Sequence, residues 1–243
     1  MGRTVPLALV LLTALASPAR AQNPDFLFGK PNCTVAFRSG WFFARAGSDL
    51  FTFVQDQLTV DKKDFNAPAL GMDVDVPVKG WLSAVAGFEY SGSSKDSEYR
   101  HFVDNKRLPI TQTTQLRQLN LSYSMQVALT PPGREISQHA WIPSAVIPYA
   151  GAGGGMLWYK FHQDGDFVDF TDSSVFTKTF DSRGRAPSAQ VFGGVDVKAL
   201  KRLYVNGEAR YLWSHATLGR AFTGFDPIDL TGVKVSAGIR YMF

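Results

Sequence analysis

The C-terminal stretch 229–243, DLTGVKVSAGIRYMF, alternates apolar side chains with polar or small ones at a strict period of two residues. Counted back from the end of the chain, the apolar positions are Phe243, Tyr241, Ile239, Ala237, Val235 and Val233. Successive side chains of a β-strand point to opposite faces, so this period predicts a strand with one apolar face. A frayed, exposed tail would not normally carry such a pattern up to its last residue.

Seven further segments carry the same alternation over the length that a tilted strand needs to cross a bilayer core, about 9–11 residues. Together with the C-terminal stretch, the predicted strands are 35–46, 69–78, 81–91, 118–129, 146–160, 189–197, 203–213 and 229–243. The fifth of these is rich in glycine. Its apolar residues expected to face outward are Ile147, Tyr149, Leu157 and Tyr159.

Short and long connections alternate between the predicted strands. The connections at 79–80 and 199–202 are short, and a proline-rich one at 130–143 is moderate. The long ones are 47–68, 92–112, 161–187 and 215–228. This alternation is typical of outer-membrane barrels, which place short turns in the periplasm and long loops outside.

We therefore predict an all-β fold, an eight-stranded antiparallel transmembrane β-barrel with long extracellular loops and short periplasmic turns. A closed sheet leaves no unpaired edge in hydrocarbon. The alternative is a soluble β-sandwich or a lipocalin-like barrel, in which the apolar residues would face inward. Charged residues opposite large aromatic ones favour the membrane barrel.

The N-terminus has the three regions of a secretory signal in order. A positive residue precedes the short apolar run PLALVLLTALA, and Ala19-Arg20-Ala21 matches an A-x-A cleavage site. The predicted organisation is a signal peptide at 1–21, a periplasmic segment at 22–34 and the barrel at 35–243, which predicts export to a bacterial outer membrane. Cys33 is the only cysteine, so it has no disulfide partner within the chain, and we expect a spacer role for it.

Charge gives little support for a nucleic-acid partner. The chain has 25 basic and 21 acidic residues, a net of +4. Loss of Arg3 and Arg20 with the signal leaves 23 against 21, a net of +2. No basic cluster with interleaved aromatic residues is present in the sequence, and we predict no nucleic-acid binding.

Residues 236–243, SAGIRYMF, resemble the terminal signal of outer-membrane barrels. The segments PYAGAGGG at 148–155 and GEARY at 207–211 resemble the small barrels of the OmpA/OmpW-like superfamily. The resemblance implies that Ser236, Gly238, Tyr241 and Phe243 form an insertion signal read by the barrel-assembly machinery. It covers the barrel only, and no peptidoglycan-binding domain is expected to follow.

Eight charged residues are predicted to face the barrel interior: Arg38, Asp73, Asp75, Glu89, Glu208, Arg210, Lys234 and Arg240. Side chains nearly fill the interior of an eight-stranded barrel, and unpaired charges there are costly to desolvate. We expect these residues to form a salt-bridge network that plugs the lumen. The alternative is an ion path or gate through the same network.

The sequence offers few candidates for catalytic or metal-binding residues. Ser214 and His215 are adjacent in one predicted strand and therefore point to opposite faces, which does not suit a nucleophile and its base. We predict no enzyme activity and no cofactor. Asp164, Asp166, Asp169 and Asp226 are weak candidates for a Ca²⁺ site in the loops, although their spacing does not match an EF-hand.

The loops combine Phe with Asp and contain one short amphipathic segment. Ser48 can cap a helix that places Leu50, Phe51, Val54 and Leu58 on one side. We expect the loop aromatics to pack into a cap over the barrel mouth, or to form the mouth of a site for hydrophobic ligands.

The predicted function is that of a non-enzymatic scaffold or interaction protein that contacts outer-membrane lipid and a protein partner through its loops or outer wall. One alternative is a narrow pore for small hydrophobic molecules. A further alternative is an outer-membrane enzyme that modifies lipids.

Overall fold

The computed structural model describes residues 26–104, 106–137, 139–172 and 174–243. The predicted signal peptide, 1–21, lies outside the described residues, as do residues 22–25 of the following segment. Eight strands form one antiparallel wall: β2 (Thr34–Ala44), β3 (Ala67–Lys79), β4 (Leu82–Val103), β5 (Pro109–Ala128), β8 (Val146–Val168), β9 (Val175–Lys198), β10 (Leu203–Ala216) and β12 (Gly232–Met242).

The wall closes into a ring. Each strand pairs with its neighbours in chain order, β9 pairs with β10, and the last strand β12 pairs with β2 from Gly232↔Ala44 to Met242↔Thr34. All of these pairings are antiparallel. The predicted eight-stranded antiparallel barrel is confirmed, and the alternating C-terminal stretch forms its closing seam.

The wall is much taller on one side than on the other. Strands β4, β5, β8 and β9 have 20 to 24 residues, whereas β2 and β12 have 11 each. The prediction of loops at 92–112 and 161–187 is therefore wrong. These segments are long hairpins that remain paired out to Val103↔Pro109 and Val168↔Val175.

Polarity is inverted across the wall relative to a water-soluble barrel. Large apolar side chains are exposed on the outer surface of every strand, for example Phe37, Leu70 and Val235, while the inward positions at the same level are polar. This arrangement suits hydrocarbon outside and a polar interior. No helix in the described part of the chain is long and apolar enough to cross a membrane.

The predicted orientation of the fifth segment is wrong. Ile147, Tyr149, Leu157 and Tyr159 all point inward and are at most 4% exposed. The outward positions of β8 include Val146, Ala152 and Trp158, and the glycines at 151, 153 and 155 share the inward face with the tyrosines. Glycine removes the side chain that would otherwise mark the inward face as polar, so alternation alone could not assign it.

A folded cap lies at the end of the barrel that carries the long connections. It contains the helix α1 (Asp49–Gln57), 3-10 turns at Lys62–Phe65 and Arg220–Phe222, and the short strand β11 (Ile228–Asp229), which pairs with β10. The predicted helix is confirmed, and Leu50, Phe51, Val54 and Leu58 are all buried. Ser48 is the N-cap residue, but its side chain makes no capping hydrogen bond.

The opposite end carries a small three-stranded sheet. β1 (Leu27–Phe28), β7 (Ala140–Pro143) and β6 (Gly133–Ser137) pair in that order. Leu27 and Trp141 pack there against Tyr204 and Met242 of the barrel wall. The proline-rich connection 130–143 and the segment before β2 thus form a lid under the barrel.

Candidate functional site

The lumen at the level of the apolar outer belt is filled by buried charges. Arg38 on β2 lies at the centre: it forms an ion pair with Asp73, its Nη1 donates to Glu208 Oε2 at 3.1 Å, and its Nη2 donates to Glu89 Oε1 at 3.4 Å. Arg38 is 3% exposed and Asp73 2%. Strands β2, β3, β4 and β10 contribute these side chains, so the contacts connect four of the eight strands across the lumen.

Two further cations complete this upper layer of the network. Arg210 reaches Glu89 and Glu208 at 3.0 Å each and Asp73 at 3.4 Å. Lys234 on the closing strand pairs with Glu89. Each carboxylate therefore faces at least two cations, which is the arrangement that makes burial of charge tolerable.

A lower layer is centred on Arg240. Its Nη1 lies 3.0 Å from Asp196 Oδ2 and 3.5 Å from Asp75 Oδ2. Asn206 donates from Nδ2 to Asp196 Oδ1 and to Tyr149 Oη, at 2.7 Å each, and Tyr149 in turn donates to Glu208 Oε2 at 3.0 Å. Tyr149 therefore connects the two layers.

The structure brings all eight sequence-predicted interior charges into this network and adds Asp196. Asp196 belongs to the polar face of the sixth predicted segment, opposite Val195 and Val197, so alternation alone could have included it. The network contains four cations and five carboxylates: Arg38, Arg210, Lys234 and Arg240, with Asp73, Asp75, Glu89, Asp196 and Glu208.

A neutral polar cluster fills the other half of the lumen at the same level. Gln190 Nε2 donates to Ser122 Oγ at 3.0 Å and to Ser124 Oγ at 2.9 Å, while Ser188 Oγ donates to Asn120 Oδ1 at 2.7 Å. Arg210 Nη1 joins this cluster to the ionic one through Gln190 Oε1, at 3.4 Å. Sequence reasoning missed these residues because it followed charge alone.

Two small cavities lie among these side chains. A cavity of about 20 Å³ lies between Glu89, Asn120 and Lys234, and one of about 70 Å³ lies at the lid, beside Asp75 and Arg240. The first has room for about one water and the second for a few, so these cavities are too small for an organic solute.

Above the polar lumen the interior becomes apolar. Leu116, Leu157 and Phe161 of the wall pack against the cap residues Phe51 and Phe222 in one buried cluster. Phe51 lies edge-on to Phe65 with ring centroids 4.6 Å apart, and Phe161 lies edge-on to Phe222 at 5.5 Å. The predicted aromatic cap over the barrel mouth is thus present, and it closes the lumen from the side opposite the lid.

A second group of aromatic residues remains on the surface of the cap. Phe53 of α1 contacts Phe225 at 5.5 Å and Phe170 at 6.2 Å, and Phe170 contacts Phe102 at 5.8 Å. We call these four residues the aromatic patch. Phe53 is 41% exposed and Phe170 56%, although α1, both tall hairpins and the β10–β11 connection all contribute to the patch.

The four aspartates considered for Ca²⁺ lie in separate contacts. Asp164 and Asp166 accept hydrogen bonds from Thr179 and Thr177, and the backbone N–H of Asp226 donates to Asp49. The backbone N–H of Asp169 donates to the Ser174 carbonyl oxygen. Among the residues that the structure describes, no three His, Cys, Asp or Glu side chains form a cluster able to hold a metal ion.

The histidines near serine do not form a catalytic set in the described residues. Ser214 turns inward and donates to the Pro187 carbonyl oxygen, whereas His215 points outward, 3.4 Å from Asp229. His162 Nδ1 lies 2.6 Å from Asp181 Oδ1 on the outer face of the β8–β9 hairpin. This hydrogen bond is the main reason that the pKa of Asp181 lies below its ordinary value, and Arg183 and Lys160 act in the same direction.

The C-terminal residues lie at the seam and at the lower rim of the apolar belt. Tyr241 and Phe243 point outward with ring centroids 4.7 Å apart, and Ser236 points inward. The Phe243 N–H donates to the carbonyl oxygen of Cys33 at 2.8 Å. A Cβ on Gly238 would clash with the Phe37 carbonyl oxygen, so the seam requires glycine there.

No protein-family model matches the chain. No curated protein matches it either. The closed ring, the apolar outer belt and the polar lumen define the class, which is that of the small eight-stranded outer-membrane β-barrels.

Solved structures of that class resemble this one. Neisserial surface protein A superposes with a TM-score of 0.50 at 12% identity, over 90% of this chain and 97% of that one. The outer membrane protein OprG from Pseudomonas aeruginosa gives a TM-score of 0.48 at 13% identity, over 89% of this chain and 99% of that one. At such identities the likeness concerns the fold.

Proposed function

We propose that the protein is a non-enzymatic barrel of the bacterial outer membrane that acts as an interaction scaffold through its extracellular surface. The observation that carries this proposal is the closed lumen. Buried ion pairs centred on Arg38 and Arg240 fill it at membrane level, and separate folded layers close both ends. A lumen of this kind argues against a pore for small hydrophobic molecules and leaves the outer surfaces to perform the function.

The proposed location follows from the polarity of the wall. The outward residues of β5 and the residue that follows it are apolar from Leu119 to Leu129, a run of about 34 Å at about 3.4 Å per residue. At the usual tilt of about 40° this run covers about 25 Å, the height of the apolar band of outer-membrane barrels. Export through the N-terminal signal and insertion through Ser236, Gly238, Tyr241 and Phe243 belong to the same proposal.

The aromatic patch is the proposed contact surface for a protein partner. Aromatic side chains are enriched at the energetic centres of protein interfaces, and exposed apolar groups of this kind usually mark an interaction site. Here Phe53 and Phe170 stay exposed although the cap beneath them is fully packed, so packing of the cap does not account for them. The tall hairpins carry the patch well clear of the membrane surface.

Site-specific photo-crosslinking in intact cells tests this proposal. Benzoylphenylalanine replaces Phe170 in the patch, and the matched control places the same residue at Thr177, which is also exposed on the β8–β9 hairpin but outside the patch. We expect one adduct of discrete size at position 170, lost when Phe53→Ser is added, and none at 177. Identical products at both positions, or no adduct at 170 while the barrel is correctly inserted, would reject the patch as a contact surface.

A further inference from the structure

Strand register places three cations side by side on the outer wall. Arg117 of β5 lies opposite Lys160 of β8, and Lys160 lies opposite Arg183 of β9. One row closer to the membrane, Arg185 lies opposite Trp158. All four cationic side chains belong to the outward face of the tall half of the barrel, and we call them the basic row.

The basic row lies where the apolar belt ends. Directly below Arg117, the outward residues of β5 are Leu119 and Leu121, and directly above it they are Gln115 and Thr113. An outer-membrane barrel changes from apolar to polar at the level of the lipid headgroups. The basic row therefore lies at headgroup level, on the side of the molecule that faces lipid.

Charge in the basic row is not balanced within the described protein. Among the residues that the structure describes, Asp181 is the one carboxylate that forms an ion pair with the basic row, 3.1 Å from Arg183 and 3.9 Å from Lys160. Arg117 contacts only the amide oxygen of Gln115, at 3.3 Å, and Arg185 has no hydrogen-bond or ion-pair partner among the described residues. Four cations against one carboxylate leave a net charge of +3 on a small area.

Repulsion among the cations of the basic row is unfavourable unless an anion binds between them. Like charges directly opposite one another on neighbouring strands are destabilising. Adjacent strands lie about 4.8 Å apart, so Arg117 to Arg183 covers about 10 Å, which is the scale of one charged headgroup. On the opposite wall, the exposed cation Arg45 already has Asp229 as a partner at 3.8 Å.

We propose that the basic row binds the phosphate groups of an anionic lipid in the outer leaflet, on the face formed by β5, β8 and β9. Guanidinium groups bind phosphate through two parallel hydrogen bonds, and Lys160 adds a point charge between them. Leu119 and Trp158 lie just below and provide the apolar surface for the acyl chains, which a free phosphate ion would not use. This inference rests on the membrane location proposed above.

Native mass spectrometry of the full barrel in neutral maltoside detergent tests the inference, with diphosphoryl lipid A as the probe and phosphatidylcholine as the zwitterionic comparison. We expect preferential retention of lipid A. The variant Arg117→Gln/Lys160→Gln/Arg185→Gln should weaken retention at least about tenfold, because each basic residue near a lipid surface adds to the attraction for anionic lipid. Arg117→Lys/Arg185→Lys should retain most of the binding.

The matched control, Lys62→Gln/Lys63→Gln/Lys106→Gln, removes the same charge from exposed positions of the cap and of the β4–β5 connection. It should bind lipid A within about twofold of the unmodified protein. The inference is overturned if the basic-row variant keeps its lipid, if the cap control loses lipid to the same extent, or if inorganic phosphate at equal concentration displaces lipid A.

Insertion into phosphatidylcholine vesicles is measured separately, from heat-modifiable gel migration and protease protection. Failure of the unmodified protein to insert would reject the proposed membrane barrel. An inserted barrel without preference for lipid A would reject the basic row alone.

Discussion

At the scale of single residues, Arg38 carries the most consequential contacts of the lumen. It faces Asp73, Glu89 and Glu208 at once, and all four side chains are buried. Removal of one partner from a buried ionic cluster leaves uncompensated charge, which is more costly than the loss of the attraction itself. Arg38 therefore stabilises the fold mainly because it compensates the charge of three buried carboxylates.

We expect Arg38→Met to lower the free energy of unfolding by about 3–5 kcal/mol. Urea unfolding in phospholipid vesicles, followed by tryptophan fluorescence, measures this change. The control Arg45→Met removes a cation whose side chain is 59% exposed and should cost at most about 1 kcal/mol. Equal effects of the two substitutions would contradict a structural role of the network.

The contribution of Asp181 to the stability of the hairpin depends on pH. Its pKa is lowered chiefly by the hydrogen bond from His162. A carboxyl group whose folded pKa is depressed contributes stability above its unfolded pKa, near 3.9, and loses it as the pH falls through the folded value. The contribution of Asp181 should therefore be complete at neutral pH and vanish only in strong acid.

Carboxyl NMR titration of Asp181 checks this prediction. His162→Ala should move the pKa of Asp181 upward toward its ordinary value, whereas His139→Ala, a substitution in the lid at the far end of the barrel, should leave it unchanged. An unshifted Asp181 in the His162 variant would show that the hydrogen bond is not the cause.

At the scale of elements, the cap behaves as a small soluble core built on a membrane barrel. Phe51 and Phe53 lie on the same helix, but Phe51 is fully buried and Phe53 is 41% exposed. Truncation of a buried phenylalanine typically costs about 3–5 kcal/mol. We expect this loss of stability to be confined to the cap, because the hydrogen bonds between strands and the ionic network stabilise the barrel wall.

We expect Phe51→Ala to open the cap while the barrel persists. Trypsin should then cut after Lys62 or Lys63 much faster than in the unmodified protein, and the heat-modifiable gel shift of the barrel should remain. Phe53→Ala is the matched control on the same helix and should leave cleavage unchanged. Loss of the barrel itself in Phe51→Ala would contradict the separation of the two layers.

Two glycines at or beside the closing seam differ in the space available for a Cβ atom. Gly238 of β12 meets the Phe37 carbonyl oxygen, whereas Gly207 of the neighbouring strand β10 has open space where a Cβ would lie. We expect Gly238→Ala to reduce the folded fraction on insertion into vesicles, and Gly207→Ala to leave it unchanged. Equal yields would show that the seam can shift to admit a methyl group.

Alternation identified the eight membrane strands because hydrocarbon on one face and a polar lumen on the other enforce it. It failed above the membrane, where water outside and an apolar core inside reverse the pattern. Along β5 the apolar residues are outward at Leu119 and inward at Leu116, and along β8 Phe161, which pairs with Leu116, is also inward. Alternation with an apolar outer face therefore does not identify the upper parts of the hairpins as strands. The level at which the apolar face changes from outward to inward marks the membrane surface.

In the candidate site, the inward orientation of the charged residues was predictable from the sequence, but their contacts were not. Each strand's charged residue could be assigned to the interior from its own alternation, so Arg38, Glu208 and Arg240 could be placed without a structure. Contacts such as the one between Tyr149 and Glu208 depend on register between β8 and β10, which are not neighbours in the ring. No local pattern carries that information.

At the scale of the whole molecule, the lumen contains two closures in series above the lid. The ionic and polar layers fill the membrane section, and the cluster around Phe51 and Phe222 fills the section above it. We expect removal of either closure to leave the other in place. Ion conduction would then require both closures and the lid to be open, so a single lesion should leave the lumen closed.

Planar-bilayer recording provides the test of this arrangement. The unmodified protein should show no stable conductance, and neither should a variant with residues 48–64 replaced by Gly-Ser-Gly or the variant Tyr149→Ala/Glu208→Ala/Arg210→Ala. The combination of both changes with replacement of the lid residues 133–143 by Gly-Ser-Gly should conduct, because the lid is then open as well and the substitutions remove a balanced ion pair together with the tyrosine that joins the two layers. Steady conductance in the unmodified protein, or in the loop variant alone, would favour a pore and contradict the scaffold proposal.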